Sequence, residues 1–176
     1  MTTIESNIIK MHHECAMRNN ASSEIIKAMA QLGKPFGDSV AAALLTTGGI
    51  HAPVEEAQNE FTIFRNHDRL NEDMDKHPGF GSAWYKNQPD PVVEEFMRTL
   101  PDTCDEGAAI YADMIDYTQA VQAMYEKNIW PNAGLATAMA NIALKRPACM
   151  GMGLVIQGRI SAWEELYISN YKYRGF

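Results

Sequence analysis

The sequence predicts an all-α protein, and three observations carry that expectation. Apolar residues recur at helical spacing through most of the chain. No alternating run of Val, Ile or Thr bounded by turn residues reads as a strand. The glycines and prolines gather in short connections, not inside the periodic segments. With 176 residues the chain reads as one domain over residues 1–176, long enough to bury a sizeable core. Its 46% hydrophobic and 21% charged residues are an ordinary globular balance.

About seven helices follow in order. Residues 22–33 (SSEIIKAMAQLG) open on Ser22 or Ser23 as a cap and stop at Gly33. Residues 37–47 (GDSVAAALLTT) are small and apolar nearly all round, the pattern of a helix buried or packed on another helix. Residues 53–66 begin with Pro53 in the first turn, and Glu55 and Glu56 suit the helix dipole. Residues 91–100 repeat that design from Pro91, with Pro101 as the stop. Over 106–127, Ile110, Met114, Tyr117, Val121 and Met124 form one stripe. Segments 134–144 and 148–170 complete the set.

Charge and cysteine usage exclude several function classes. A net charge of −7 gives no electrostatic support to a nucleic-acid or anionic-membrane partner. Cys15, Cys104 and Cys149 are odd in number and widely spaced, so neither a disulfide framework nor a zinc knuckle is expected, and no metal site. Reduced thiols, and an N-terminus without signal-peptide architecture, lead to the expectation of a cytoplasmic protein. No apolar run is long enough to span a membrane.

Four constellations carry possible chemistry. His12-His13-Glu14 are adjacent, and neighbours on a helix point about 100° apart, so the three cannot share one ligand. His51 lies between Gly48-Gly49 and a helix start, where the dipole favours neutral imidazole and flanking amides suit an oxyanion. An ordinary loop histidine fits that place as well. Arg159 follows Gly158 inside an apolar helix and needs an anion, either a protein carboxylate or a substrate one, because an unpaired buried charge is costly. The stretch HPGFGSAWYKNQPDP, residues 77–91, offers backbone donors at Gly79 and Gly81 and a cation at Lys86, yet glycine loops also simply turn.

Taken in order, these pieces resemble the citrate synthase family, which includes the citryl-CoA lyase modules, over roughly residues 11–168. His12-His13-Glu14 with Ala21-Ser22-Ser23 resembles the Asp-His-Glu motif and the Ala-Ser-Thr helix. GGIHAPVEEA, residues 48–57, resembles Gly-x-x-His-Gly-Gly-Ala-x-Glu. PGFGSAWYKNQPDPV, residues 78–92, resembles Pro-Gly-x-Gly-His followed by Asp-Pro-Arg. PNAGLATAMANIAL, residues 131–144, resembles Pro-Asn-Val-Asp and its small-residue helix, and GRISAWEELY, residues 158–167, the closing Gly-Arg motif. The family fold implied is helical, with small-residue helices at a two-fold homodimer interface, and the chain starts where the second half of a member would start.

The resemblance implies roles. His51 is similar to the histidine that stabilises the thioester enol. His13 and Arg159 are similar to residues that bind the substrate's carboxylate end. Pro78, Gly79, Phe80 and Gly81 resemble the backbone that contacts CoA, and Lys86 would neutralise a CoA phosphate. A CoA thioester is thus the implied substrate, with a small carboxylate as its partner. The departures are as telling. Ser82 stands where the family has a catalytic histidine, Gly134 where it has the aspartate base, and Val92 where it has an arginine. His77, five residues before Ser82, is the histidine that would replace the missing imidazole. Removing one positioned acid or base costs about 10²–10⁴ in rate. Two readings stay open: a divergent enzyme forming or cleaving a carbon–carbon bond on a CoA thioester, and an inactive homologue that binds CoA, a carboxylate or a protein partner.

Overall fold

The computed structural model describes residues 1–18, 20–47, 53–72, 74 and 76–172. Within them lie eight α-helices: α1 Thr3–Ala16, α2 Ala21–Gln31, α3 Phe36–Leu44, α4 Val54–His67, α5 Pro91–Thr99, α6 Asp105–Tyr125, α7 Ala133–Ala143 and α8 Gly151–Asn170. Short 3-10 turns at Leu100–Asp102 and Ala148–Met150 precede α6 and α8. The described residues contain no β-strand, only an isolated bridge between Phe80 and Pro131.

Helix α1 is the element the hydrophobic pattern does not announce. Its start is a capping box: the Glu5 amide donates to the Thr2 side chain, and the Glu5 carboxylate accepts from the Thr2 amide. Helix α2 is capped by Asn20, not by Ser22 or Ser23. The Ser23 amide donates to Asn20 Oδ1 at 3.0 Å, and Ser22 Oγ donates to the same oxygen. Ser22 and Ser23 lie inside the first turn, so the carboxamide just before it takes the cap expected for the serines. Gly33 ends α2 at φ +69°, a conformation glycine adopts without strain. Helix α5 has Pro91 in its first turn and Asp90 as cap.

The main core is built from α1, α4, α5, α6, α7 and α8, with Ile8, Phe61, Leu100, Ile110, Leu135 and Leu154 at its centre. A smaller cluster of Ile26, Ala43, Trp163 and Leu166 joins α2, α3 and α8. Helix α7 is buried almost throughout, as its small residues require. Helix α3 packs on α2 and α8, as its small residues suggest, with Ser39 and Ala43 buried, while Gly37, Ala41 and the following Leu45 face outward, Leu45 at 89% exposure.

Helices α1 and α8 pack along one another, and Gly158 sets their distance. A Cβ at Gly158 would lie 2.4 Å from the His12 Cβ and 2.6 Å from the Ile9 carbonyl oxygen. Only glycine allows this approach, and the next residue is Arg159.

Candidate functional site

A cleft of about 500 Å³ opens between the end of α1, the starts of α2 and α7, α8, and the loop after Gly81. Three charged side chains line it among the described residues: Arg18, Asp90 and Arg159.

Arg159 is half-buried, and its Nε is a buried donor with no partner among the described residues. Burial pulls its pKa down, opposed by Cys15 beside it. An arginine nevertheless remains protonated. The sequence leaves open whether a protein carboxylate pairs with Arg159, and among the described residues none does. Behind it lies His12, buried in the α1–α8–α7 packing with Nε2 2.7 Å from Thr137 Oγ1. That hydroxyl donates its proton to the Ala133 carbonyl, so it accepts from His12 and the Nε2 carries hydrogen. Burial, with Arg159 adding to it, lowers the His12 pKa to about 3. His12 is therefore a neutral core residue.

Nothing in the sequence singles out Arg18. Its Nη1 donates to Asp90 Oδ2 at 2.5 Å and its Nη2 to Oδ1 at 2.8 Å, a fork-to-carboxylate pair. Asp90 Oδ1 also accepts from the Val92 amide at 3.1 Å, so one carboxylate caps α5 and holds Arg18. The Tyr85 ring covers the guanidinium, its centroid 5.3 Å from Cζ. Hydrogen bonding to Asp90 raises the Arg18 pKa further. Cys15, beside both arginines, is half-buried, and burial pushes its thiol up to about 11, against the pull of Arg18 and Arg159. It is a poor nucleophile there.

The positions where the resemblance finds substitutions have jobs of their own. Ser82 lines the cleft, but its Oγ accepts from the amides of Trp84 at 3.1 Å and Tyr85 at 3.3 Å. It closes the turn that brings Tyr85 over Arg18. Gly134 lines the cleft in the first turn of α7, where its amide donates to the Asn132 side chain at 2.8 Å. A Cβ there would sit 3.0 Å from that Asn132 oxygen. Val92 begins α5 and packs against the core.

The glycine loop is joined to the start of α7. The Gly81 amide donates to the Trp130 carbonyl at 2.9 Å, the Asn132 amide to the Gly79 carbonyl at 2.8 Å, and the Asn132 side-chain amide to the Gly81 carbonyl at 3.0 Å. The Gly81 donor, read in the sequence as bare, is thus already used. Gly79 has φ +88°, and a Cβ on it would fall 2.8 Å from the Leu135 Cβ. Phe80 packs edge-on against Tyr117 in the core. Of Pro78, Gly79, Phe80 and Gly81, only Gly81 borders the cleft. Lys86 is exposed further along the loop.

The remaining sequence candidates fall elsewhere. His13 points from α1 to Glu165 of α8, Nε2 to Oε2 3.4 Å, away from the cleft. His77 is buried between the rings of Tyr117 and Tyr125, not beside Ser82, so it does not supply the missing imidazole. Burial lowers its pKa, opposed by Glu60. His51 lies outside the described residues. Among the described residues no group of three or more His, Cys, Asp or Glu side chains is gathered as a metal-ligand set.

Chemically, then, the described part of the cleft offers one uncompensated cation, and its one carboxylate is already bound to Arg18. It is suited to hold an anion. It offers no free base to take a proton from carbon.

No family model and no curated protein sequence matches the chain. Among solved structures, that of citryl-CoA lyase from Hydrogenobacter thermophilus superimposes with a TM-score of 0.74 at 19% identity, over 97% of this chain and 71% of that one. The chain therefore has the all-α, citrate synthase-like fold, as the order of its motifs implied.

Proposed function

We propose that the protein binds a carboxylate ligand, a small organic acid or the acid partner of a CoA thioester, in the cleft headed by Arg159. The observation that carries this is the Arg159 guanidinium, half-buried, facing a 500 Å³ cleft with a buried Nε and no protein carboxylate among the described residues. A buried cation without a partner is costly, and a bound carboxylate removes that cost. The starts of α2 and α7 on the same cleft add partial positive charge. In this reading the cleft is a binding site in which carbon-acid chemistry of the citrate synthase type does not run through Ser82 or Gly134. On the CoA side, Lys86 meets a phosphate at the exposed edge of the loop.

The test is thermal denaturation with butyrate, citrate, oxaloacetate, acetyl-CoA and CoA, for the wild type and Arg159→Met. A ligand at one hundred times its Kd stabilises by about 2.7 kcal/mol. For a chain of this size that raises Tm by about 5–10 °C. The rise is expected with at least one acid in the wild type and not in Arg159→Met. Lys86→Glu is expected to weaken only the CoA response. No shift with any acid, or an acid's shift that survives Arg159→Met, overturns the proposal. Turnover of acetyl-CoA or citryl-CoA that disappears in His51→Ala would instead make the protein a divergent enzyme.

The outward residues of α3, Gly37, Ala41 and Leu45, support a homodimer in which a second copy covers this helix. Sedimentation is expected to give a dimer that Ala41→Glu splits. A wild-type monomer at tens of micromolar would remove this part of the reading.

A further inference from the structure

We infer that the cleft accepts one carboxylate per ligand, and that the Arg18–Asp90 pair sets this limit. The inference rests on the carboxylate-binding reading above and names its ligand class: a monocarboxylate whose remaining groups are uncharged, not a di- or tricarboxylate.

Among the described residues two arginines line the cleft, and a count of these cations alone would admit two carboxylates. Arg18, however, is neutralised before any ligand arrives. Both of its terminal nitrogens are on Asp90, at 2.5 and 2.8 Å, in a geometry that suits guanidinium and carboxylate best. The pair does not part easily. The Asp90 side chain is only 7% exposed and is anchored by the first turn of α5, while Tyr85 covers the face of the guanidinium. Opening the pair would leave the buried Asp90 charge and the partly buried Arg18 charge without partners. A ligand's first carboxylate has Arg159. A second would reach an arginine already neutralised and would lie beside the Asp90 charge, which repels it. The pair therefore acts against polyanions by like-charge exclusion, without touching the first carboxylate.

Calorimetric titration of the full chain with butyrate, succinate and propane-1,2,3-tricarboxylate at pH 7.5, where all are ionised, tests this. In the wild type the affinity is expected to fall as carboxylates are added, by about threefold or more at each step. Asp90→Asn, which keeps a helix cap but frees Arg18, is expected to gain about tenfold in preference for succinate over butyrate. The charge-neutral double substitution Arg18→Met with Asp90→Asn is expected to keep butyrate binding within about threefold. The wild-type series decides the matter even if a variant fails to fold: succinate or the triacid binding as tightly as butyrate, or tighter, overturns the inference. So does loss of butyrate binding in a folded double variant, since Arg18 would then hold the ligand itself. In those outcomes the carboxylate-binding reading stands. If no acid binds, or Arg159→Met binds as the wild type does, that reading fails and the inference fails with it.

Discussion

At the residue scale, Ser82, Gly134 and Asn132 each hold backbone in place at the cleft. Ser82 closes a turn, Gly134 gives its amide to the α7 cap, and Asn132 is that cap and also holds the Gly81 carbonyl. Asn132→Ala removes both of its bonds. Loss of an N-cap costs about 0.5–2 kcal/mol. The expected result in urea denaturation is a loss at the upper end of that range, because the loop is released as well. A loss below the range would mean that the backbone bonds to Trp130 and Asn132, with Phe80 packing, suffice to hold the loop.

At the same scale, His12 and His13 show how much one residue of register decides. Both lie on α1, one buried against Thr137 and one turned to Glu165. The sequence resemblance favours His13. Yet Ile4, Ile8, Met11 and His12 share the buried side of the helix, and that spacing is legible once α1 is recognised. The signal for α1 is the Thr2-x-x-Glu5 capping box, which precedes a segment whose apolar residues are diluted by polar ones.

At the scale of elements, two junctions hold the cleft in shape. The first is the α1–α8 crossing at Gly158. Gly158→Ala would put a methyl group into His12 and the Ile9 carbonyl. Overpacking of this kind costs about 1–3 kcal/mol. The measurable outcome is a lower Tm together with weaker carboxylate binding, since Arg159 moves with the backbone; a fall in Tm with unchanged binding would show that the cleft does not depend on the crossing. The second junction is the loop folded around Arg18. Asp90→Ala removes a cap and leaves a half-buried guanidinium unpaired, for an expected loss of about 3–5 kcal/mol. Asp90→Asn retains the cap and is expected to lose less. Chemical denaturation of the two side by side separates pair from cap: equal losses would mean that the ion pair contributes most of the effect.

The sequence could not reveal this second junction. Arg18 and Asp90 are 72 positions apart, and each has a sufficient local explanation, one as a surface cation near two asparagines, the other as the cap before Pro91. Arg159 is legible because a charge inside an apolar helix demands a partner. The helices are legible by their periodicity. Pairings across the chain leave no mark on either partner's neighbourhood, and so they are read only from the fold.

For the molecule as a whole, acid is the condition to watch. His12 has its pKa lowered to about 3 by burial and by Arg159, and His77 is shifted in the same direction by burial. In the unfolded chain both return to the ordinary histidine range near 6.5. Below that pH the unfolded state holds more protons, so stability is complete above about 6.5 and is lost as pH falls toward 3. His12 alone is expected to remove roughly 1.4 kcal/mol for each unit below 6.5. A scan of Tm from pH 7.5 to 4.5 checks this, with His12→Gln expected to flatten the acid limb while keeping a donor to Thr137. An equal slope in the variant would assign the sensitivity to other groups.

The bond from the Gly81 amide to the Trp130 carbonyl joins two stretches of chain about fifty residues apart at the rim of the cleft. It gives the molecule a built-in clock. That hydrogen can exchange with solvent only when the rim parts from Trp130, so at a pH high enough for exchange to outpace reclosing, its exchange rate is the rate of opening. A ligand that must wait for such an opening can enter no faster than the clock runs. One that slips in past the exposed Trp84 edge is free of it. Comparing the Gly81 exchange rate with the ligand's association rate would show which route the protein uses, before any catalytic question is asked.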